Sequence, residues 1–181
     1  DNSSSIGLLV QYGDFDLFIA GDLTGGGDNS TDVESTVSQL VADVDVLQIS
    51  HHGSGTSSNR TFLKNLKAEV GIVQAGRDNS FGHPTIEVTD RFINTTPTSG
   101  VTPQPPNGNV PLTRAPLIYQ NEPSPDRSNV SRQGIVADGT ILIETDGASY
   151  TVSGGSLQPV TSPTDGAESG IRTDFPPSVV V

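Results

Sequence analysis

The 181-residue chain is 32% hydrophobic and only 5% aromatic, with 20 glycines, 13 prolines, no cysteine and a formal charge of −12. That suffices for one domain with a modest core and a good deal of loop. It excludes disulfides and thiolate metal sites, argues against a passive nucleic-acid-binding surface, which needs a basic face, and offers no apolar run near the ~20 residues that span a bilayer.

Ile6 to Tyr12 and Phe15 to Ala20 are short apolar runs joined by Gly13-Asp14, a hairpin pattern. The second run ends in Gly21-Asp22. An Asp there is ordinarily a turn former or helix cap, but its place at a strand end makes it a candidate ligand. Gly25 to Ser30 reads as a flexible loop and lacks the Gly-Lys-Ser/Thr of a phosphate-binding loop. Thr31-Asp32-Val33-Glu34 has capping-box form, and Val33, Val37, Leu40 and Val41 recur at helical spacing, which predicts a helix over about residues 32–42.

Val44, Val46, Leu47 and Ile49 predict the next strand, which runs straight into His51-His52-Gly53-Ser54. Ser57 or Ser58 is placed to cap a helix carrying Phe62, Leu63 and Leu66. Val70 to Gln74 is a further strand. The loop that follows, Gly76 to Pro84, holds Arg77 and the third histidine, His83, with Pro84 placed to open a helix through Val88 and Phe92. Strand and helix therefore alternate, the mark of an α/β sheet, and Asp22, His51, His52 and His83 all fall where strands give way to loops. Such loops converge at one sheet edge.

Residues 95–116 are rich in Pro, Thr and Asn and read as a mobile insertion. Leu117 to Gln120 resumes as a strand, and Thr140 to Thr145 with Ser149 to Val152 reads as a hairpin around Asp146-Gly147. Residues 154–181 read as a disordered linker or tail.

Imidazole and carboxylate donors suit zinc or manganese better than calcium. Asp22, His51, His52 and His83 are the candidate metal ligands, with Asp22, His51 and His83 as candidate catalytic residues. For each histidine alone, the plainer reading is a hydrogen-bonded loop residue. A serine hydrolase using Ser54 or Ser57 with His51 and Asp22 is a competing chemistry, but no Gly-X-Ser-X-Gly elbow is present.

Gly21-Asp22, Asp45 to Ser54 with His-His-Gly-Ser, Gly82-His83-Pro84, and Gly139-Thr140-Ile141 with Thr145-Asp146-Gly147 closely resemble the metallo-β-lactamase-fold domain of ComEC/Rec2-type competence proteins. The resemblance covers about residues 1–153. It implies an αββα sandwich, one or two divalent metal ions, and hydrolysis of phosphodiesters such as DNA. Asp22 then resembles a bridging aspartate, while Ser54, Ser57 and Arg77 resemble substrate contacts or residues that orient the ligands. The fold's His-X-His-X-Asp-His signature is absent, so the chain resembles the C-terminal half of such a domain, inactive alone and partnered by the missing N-terminal half. Its sheet is expected to bare an apolar face. The expected setting is extracellular or at the cell surface, with the cytoplasm of a high-salt organism as the alternative. The other functional reading is a non-catalytic binding or surface-display module.

Overall fold

The computed structural model describes residues 2–95, 117–123 and 135–164. The predicted hairpin forms as β1 (Leu8–Tyr12) and β2 (Phe15–Ile19), paired antiparallel about Gly13. β2 continues the six-stranded sheet through three parallel neighbours, β5 (Val46–Gln48), β6 (Val70–Val73) and β7 (Leu117–Gln120), to the short β8 (Ile135–Val136). The architecture is thus mixed α/β, with every strand but edge strand β1 running the same way. β6 and β7 are buried along their whole length, as strands covered on both faces must be.

Among the described residues three helices cover one face: α1 (Glu34–Val37), α2 (Arg60–Leu66) and α3 (Ile86–Thr95). Phe18, Leu47, Ile49 and Val73 point up from the sheet into Phe62, Leu63, Leu66, Val88 and Phe92. Each such side chain contributes roughly 1.5–3 kcal/mol by leaving water. Gly71 lets α3 come close, since a Cβ there would lie 3.1 Å from both Ile49 and Phe92 side chains.

Local readings shift where tertiary partners intervene. The glycine loop is a small hairpin, β3 (Gly25–Gly27) with β4 (Ser30–Asp32), closed by Asp28 and Asn29 at positive φ, the conformation a tight two-residue turn demands. The helix expected over residues 32–42 is only one turn long. Asp32 ends β4 and accepts from the Ser35 N–H, while Glu34 leaves the expected capping box to receive the Ser58 and Asn59 N–H groups. The cap of α2 is Asn59, whose Oδ1 accepts from Phe62 N–H, rather than Ser57 or Ser58. α3 starts at Ile86, two residues beyond Pro84.

The opposite face carries an antiparallel three-stranded sheet, β9 (Leu142–Thr145), β10 (Ser149–Gly154) and β11 (Leu157–Pro163). β11 corrects the expectation that residues 154–181 are tail from the start. Positive φ at Gly154 and Gly155 turns the chain back, and Leu157 and Val160 pack on the second core with Phe15, Val46, Val70, Ile72, Leu117 and Tyr119. Phe15 and Tyr150 meet with ring centroids 5.4 Å apart. The sheet face expected to be bare is therefore partly covered. Among the described residues two parts stay open: the stripe of Ile6 and β1's Leu8, Val10 and Tyr12, and a groove of about 590 Å³ floored by Leu17, Ile19, Gln48 and Ile72. The expected insertion over residues 95–116, from residue 96 on, and the tail beyond residue 164 lie outside the described residues.

Candidate active site

Parallel β2, β5 and β6 end at one sheet edge, and the sequence-predicted residues gather there. Asp22 follows β2. His51 and His52 follow β5 in a turn, Ser50–Gly53, where both adopt the left-handed conformation, φ 51 and ψ 43 followed by φ 55 and ψ 20. That conformation disfavours side-chain-bearing residues by roughly 1–2 kcal/mol each, so the surroundings must hold it. They do so from three sides: His51 N–H donates to Gly21 O at 2.9 Å, Thr85 N–H donates to Gly53 O at 2.9 Å, and the Ser57 hydroxyl donates to Ser50 O at 2.7 Å. Gly53 has φ +79, and a Cβ on it would fall 2.5 Å from the Pro84 Cβ. Strain concentrated at adjacent imidazoles and over-determined by its neighbours points to function at this turn.

His52 is oriented by groups just past the ends of two other strands, β2 and β6. Its Nδ1 lies 2.6 Å from Gln74 O; a carbonyl only accepts, so Nδ1 carries the proton. Its Nε2 then faces Asp22 Oδ1 at 3.5 Å. A neutral ring sets its lone pair toward the carboxylate, an arrangement that a cation between them would join. His51 Nε2 lies 3.2 Å from the Asn2 carboxamide nitrogen, and its Nδ1 is buried without a hydrogen-bond partner. His83 joins from the β6–α3 loop, its ring centroid 5.9 Å from that of His51. Burial first, and then the neighbouring imidazoles of His51 and His52, hold His83 below the usual histidine range, with Asp22 opposing.

The other candidates sit differently. Ser57 is fully buried, and its hydroxyl also donates to Ser54 O. Ser54 pairs with the Thr56 hydroxyl at 3.1 Å. Neither serine hydrogen-bonds an imidazole, so a serine–histidine couple is not assembled. The Arg77 guanidinium donates to Asp138 at 2.5 Å and lies 4.0 Å from Glu122. It ties loops together at the edge of the site.

Sequence reasoning passed over Gln74, which acts through a main-chain oxygen that no residue pattern reveals. It also passed over Asn79, which receives His83 N–H at 2.8 Å and donates to His83 O at 2.9 Å. Phe81, in the same loop, stacks on the His83 ring; an apolar residue in a Gly/Asn-rich loop was the available signal.

The donor types, imidazole nitrogen and carboxylate oxygen, fit a divalent metal at His52 and Asp22. A 3.5 Å gap is also what two ligands of one tetrahedral ion show when each bond is ~2.0–2.2 Å. Among the described residues, however, no three His, Asp or Glu side chains come together around one point.

This arrangement defines an α/β protein with an imidazole–carboxylate cluster at its strand ends. No family model matches the chain, and no solved structure matches it. Curated relatives place it beside the competence proteins. It is 32% identical over 92 residues to Recombination protein 2 of Haemophilus influenzae, a match covering 51% of this chain and 11% of that protein. It is 32% identical over 83 residues to ComE operon protein 3 of Bacillus subtilis, covering 46% and 10%. With Competence protein ComA of Neisseria gonorrhoeae it shares 36% identity over 93 residues, covering 50% and 13%. The matches span only about a tenth of the length of these relatives. No helix among the described residues is long and apolar enough to cross a membrane.

Proposed function

We propose that this chain supplies one wall of the active site of a metal-dependent hydrolase, a phosphodiesterase or nuclease acting on DNA at the cell surface or outside it, and that it is the C-terminal half of a metallo-β-lactamase-type αββα domain. The observation that carries this reading is the His52 Nε2 to Asp22 Oδ1 approach at 3.5 Å, with Nδ1 already committed to Gln74 O. Metal-bound histidines characteristically donate their other N–H to a carbonyl or carboxylate, which fixes tautomer and direction. The partial coverage of the sheet face and the similarity to competence proteins support the half-domain and the DNA context.

His52 and Asp22 would hold the ion, with the His51 and His83 rings nearby, and further ligands would come from the other half of such a domain. Bound there, zinc or manganese would supply an acidified water and charge stabilisation at phosphorus. This chain's residues do the positioning: Gly53 admits Pro84 so that the loops close together, Asn79 sets the His83 backbone, and the low proton affinity of His83 keeps its ring neutral at pH 7.

The test is zinc and manganese binding to the chain by calorimetry. Wild type should bind one ion weakly, and Asp22→Ala and His52→Ala should each weaken binding about tenfold or more. Equal binding by wild type and both variants, or none by any, would discard the metal reading.

A further inference from the structure

Phe81 is the most exposed of the large hydrophobic side chains among the described residues, 75% open to solvent, and it lies against the candidate site. Its ring stacks on the His83 imidazole with centroids 5.5 Å apart and planes 24° from parallel. One face is thus occupied by a site histidine, and the other is turned to solvent.

The loop is built to present it. Asn79 bridges the loop through its carboxamide, donating to Gly76 O at 2.6 Å and to His83 O at 2.9 Å while receiving His83 N–H. The Gly82 N–H closes back on Asn79 O at 3.4 Å, and Gly82 has φ +75, which lets the chain reverse between Phe81 and His83. The ring's free face is thereby left open, beside a polar site, to a ligand that can stack on it.

The nature of the ligand follows from charge. Arg77, the loop's cation, is paired with Asp138 and Glu122, and Arg91 is spent on Glu87 and the Gly55, Ser57 and Ser58 carbonyls. In a chain of net charge −12, these arginines cannot serve as an open phosphate clamp. What this loop itself offers a ligand beside His83 is then a flat, uncharged surface rather than an arginine, and an aromatic ring tolerates every nucleobase because each has a π-face.

Resting on the DNA reading above, we infer that Phe81 is a base-stacking platform that seats an unpaired nucleobase over His83, so that the substrate is single-stranded nucleic acid or an unpaired end. Bases in a closed duplex are stacked on one another and cannot offer a free face to the ring. Binding should depend only weakly on salt, because few counterions are released when phosphates are left ungripped.

The chain contains no tryptophan, so Phe81→Trp provides a lone fluorescent reporter at this position. The 181-residue chain carrying it is titrated with a 12-nucleotide single strand, the matching duplex, and an abasic strand of equal length. Quenching by the single strand, and little by the duplex or the abasic strand, is expected. Anisotropy of a labelled single strand should show wild type and Phe81→Trp binding alike, and Phe81→Leu binding roughly 5- to 100-fold more weakly, with an unchanged melting temperature because the side chain is exposed. Equal binding of the single strand by Phe81→Leu, or equal quenching by the abasic strand, would overturn the stacking role while leaving the DNA reading in place. Failure of the wild-type chain to bind any of the three would overturn both.

Discussion

Glu34 is fully buried, and its two carboxylate oxygens receive the Ser58 and Asn59 N–H groups at 2.6 and 2.7 Å. It thereby fastens the start of α1 to the loop that follows the histidine turn. Desolvation raises its pKa from 4.5 to about 7, reinforced by Asp32 and opposed by the two backbone donors and Arg91. The unfolded chain releases this proton near pH 4.5, whereas the folded chain keeps it until about pH 7. Between those values the folded state binds more protons, so stability falls as pH rises through the window, by up to about 3 kcal/mol. Denaturation midpoints at pH 5, 6, 7 and 8 should decline for wild type, and Glu34→Gln should flatten that slope, starting about 1 kcal/mol below wild type at pH 5 for the hydrogen bond it cannot keep and drawing level with it or passing it by pH 8. An equal slope in both proteins would remove Glu34 as its source. The sequence showed an acidic residue in a capping-box pattern; its actual partners lie 24 and 25 residues away, a distance that local pattern reading does not reach.

At the scale of elements, the β9–β11 sheet decides what the large sheet exposes. Its hold is centred on Tyr150, 1% exposed and packed on Phe15, with Val152 beside it. The two hairpin turns also touch: Asp14 N–H donates to Gly147 O at 2.6 Å, and a Cβ on Gly13 would lie 2.7 Å from that oxygen. Tyr150→Ala should cost about 3 kcal/mol in urea denaturation, as truncation of a buried aromatic does. A loss below about 1 kcal/mol would mean that the small sheet does not depend on this contact. Both strands of the β9–β10 hairpin were legible from their apolar runs around Asp146-Gly147. β11 was not, because Pro159, Thr161, Ser162 and Pro163 mask the few apolar positions that pack.

At the scale of the whole molecule, the open apolar face has a consequence for solution behaviour. Leu8, Val10 and Tyr12 are 52%, 38% and 60% exposed and, by register, sit opposite Ile19, Leu17 and Phe15 on the same sheet face. They also lie on an edge strand whose outer hydrogen-bonding groups invite another strand. The isolated chain should self-associate with rising concentration in sedimentation velocity, and Val10→Lys, which puts a charge in the middle of the stripe, should shift it to monomer. A wild-type chain that stays monomeric at all concentrations would argue that this face needs no cover.

The sequence by itself determined the alternation of strand and helix and the placing of Asp22, His51, His52 and His83 at strand ends, because apolar periodicity and turn residues act over a few positions. It also set the limits of charge and composition. Only the tertiary structure decided which atoms of those residues face each other. The opposition of His52 Nε2 to Asp22 depends on Gln74 O, the left-handed histidine turn depends on Gly21, Thr85 and Ser57, and the exposure of Phe81 depends on Asn79. These are contacts between residues brought together by parallel strand pairing. Their physics is that of distance and direction in space, which spacing along the chain does not carry.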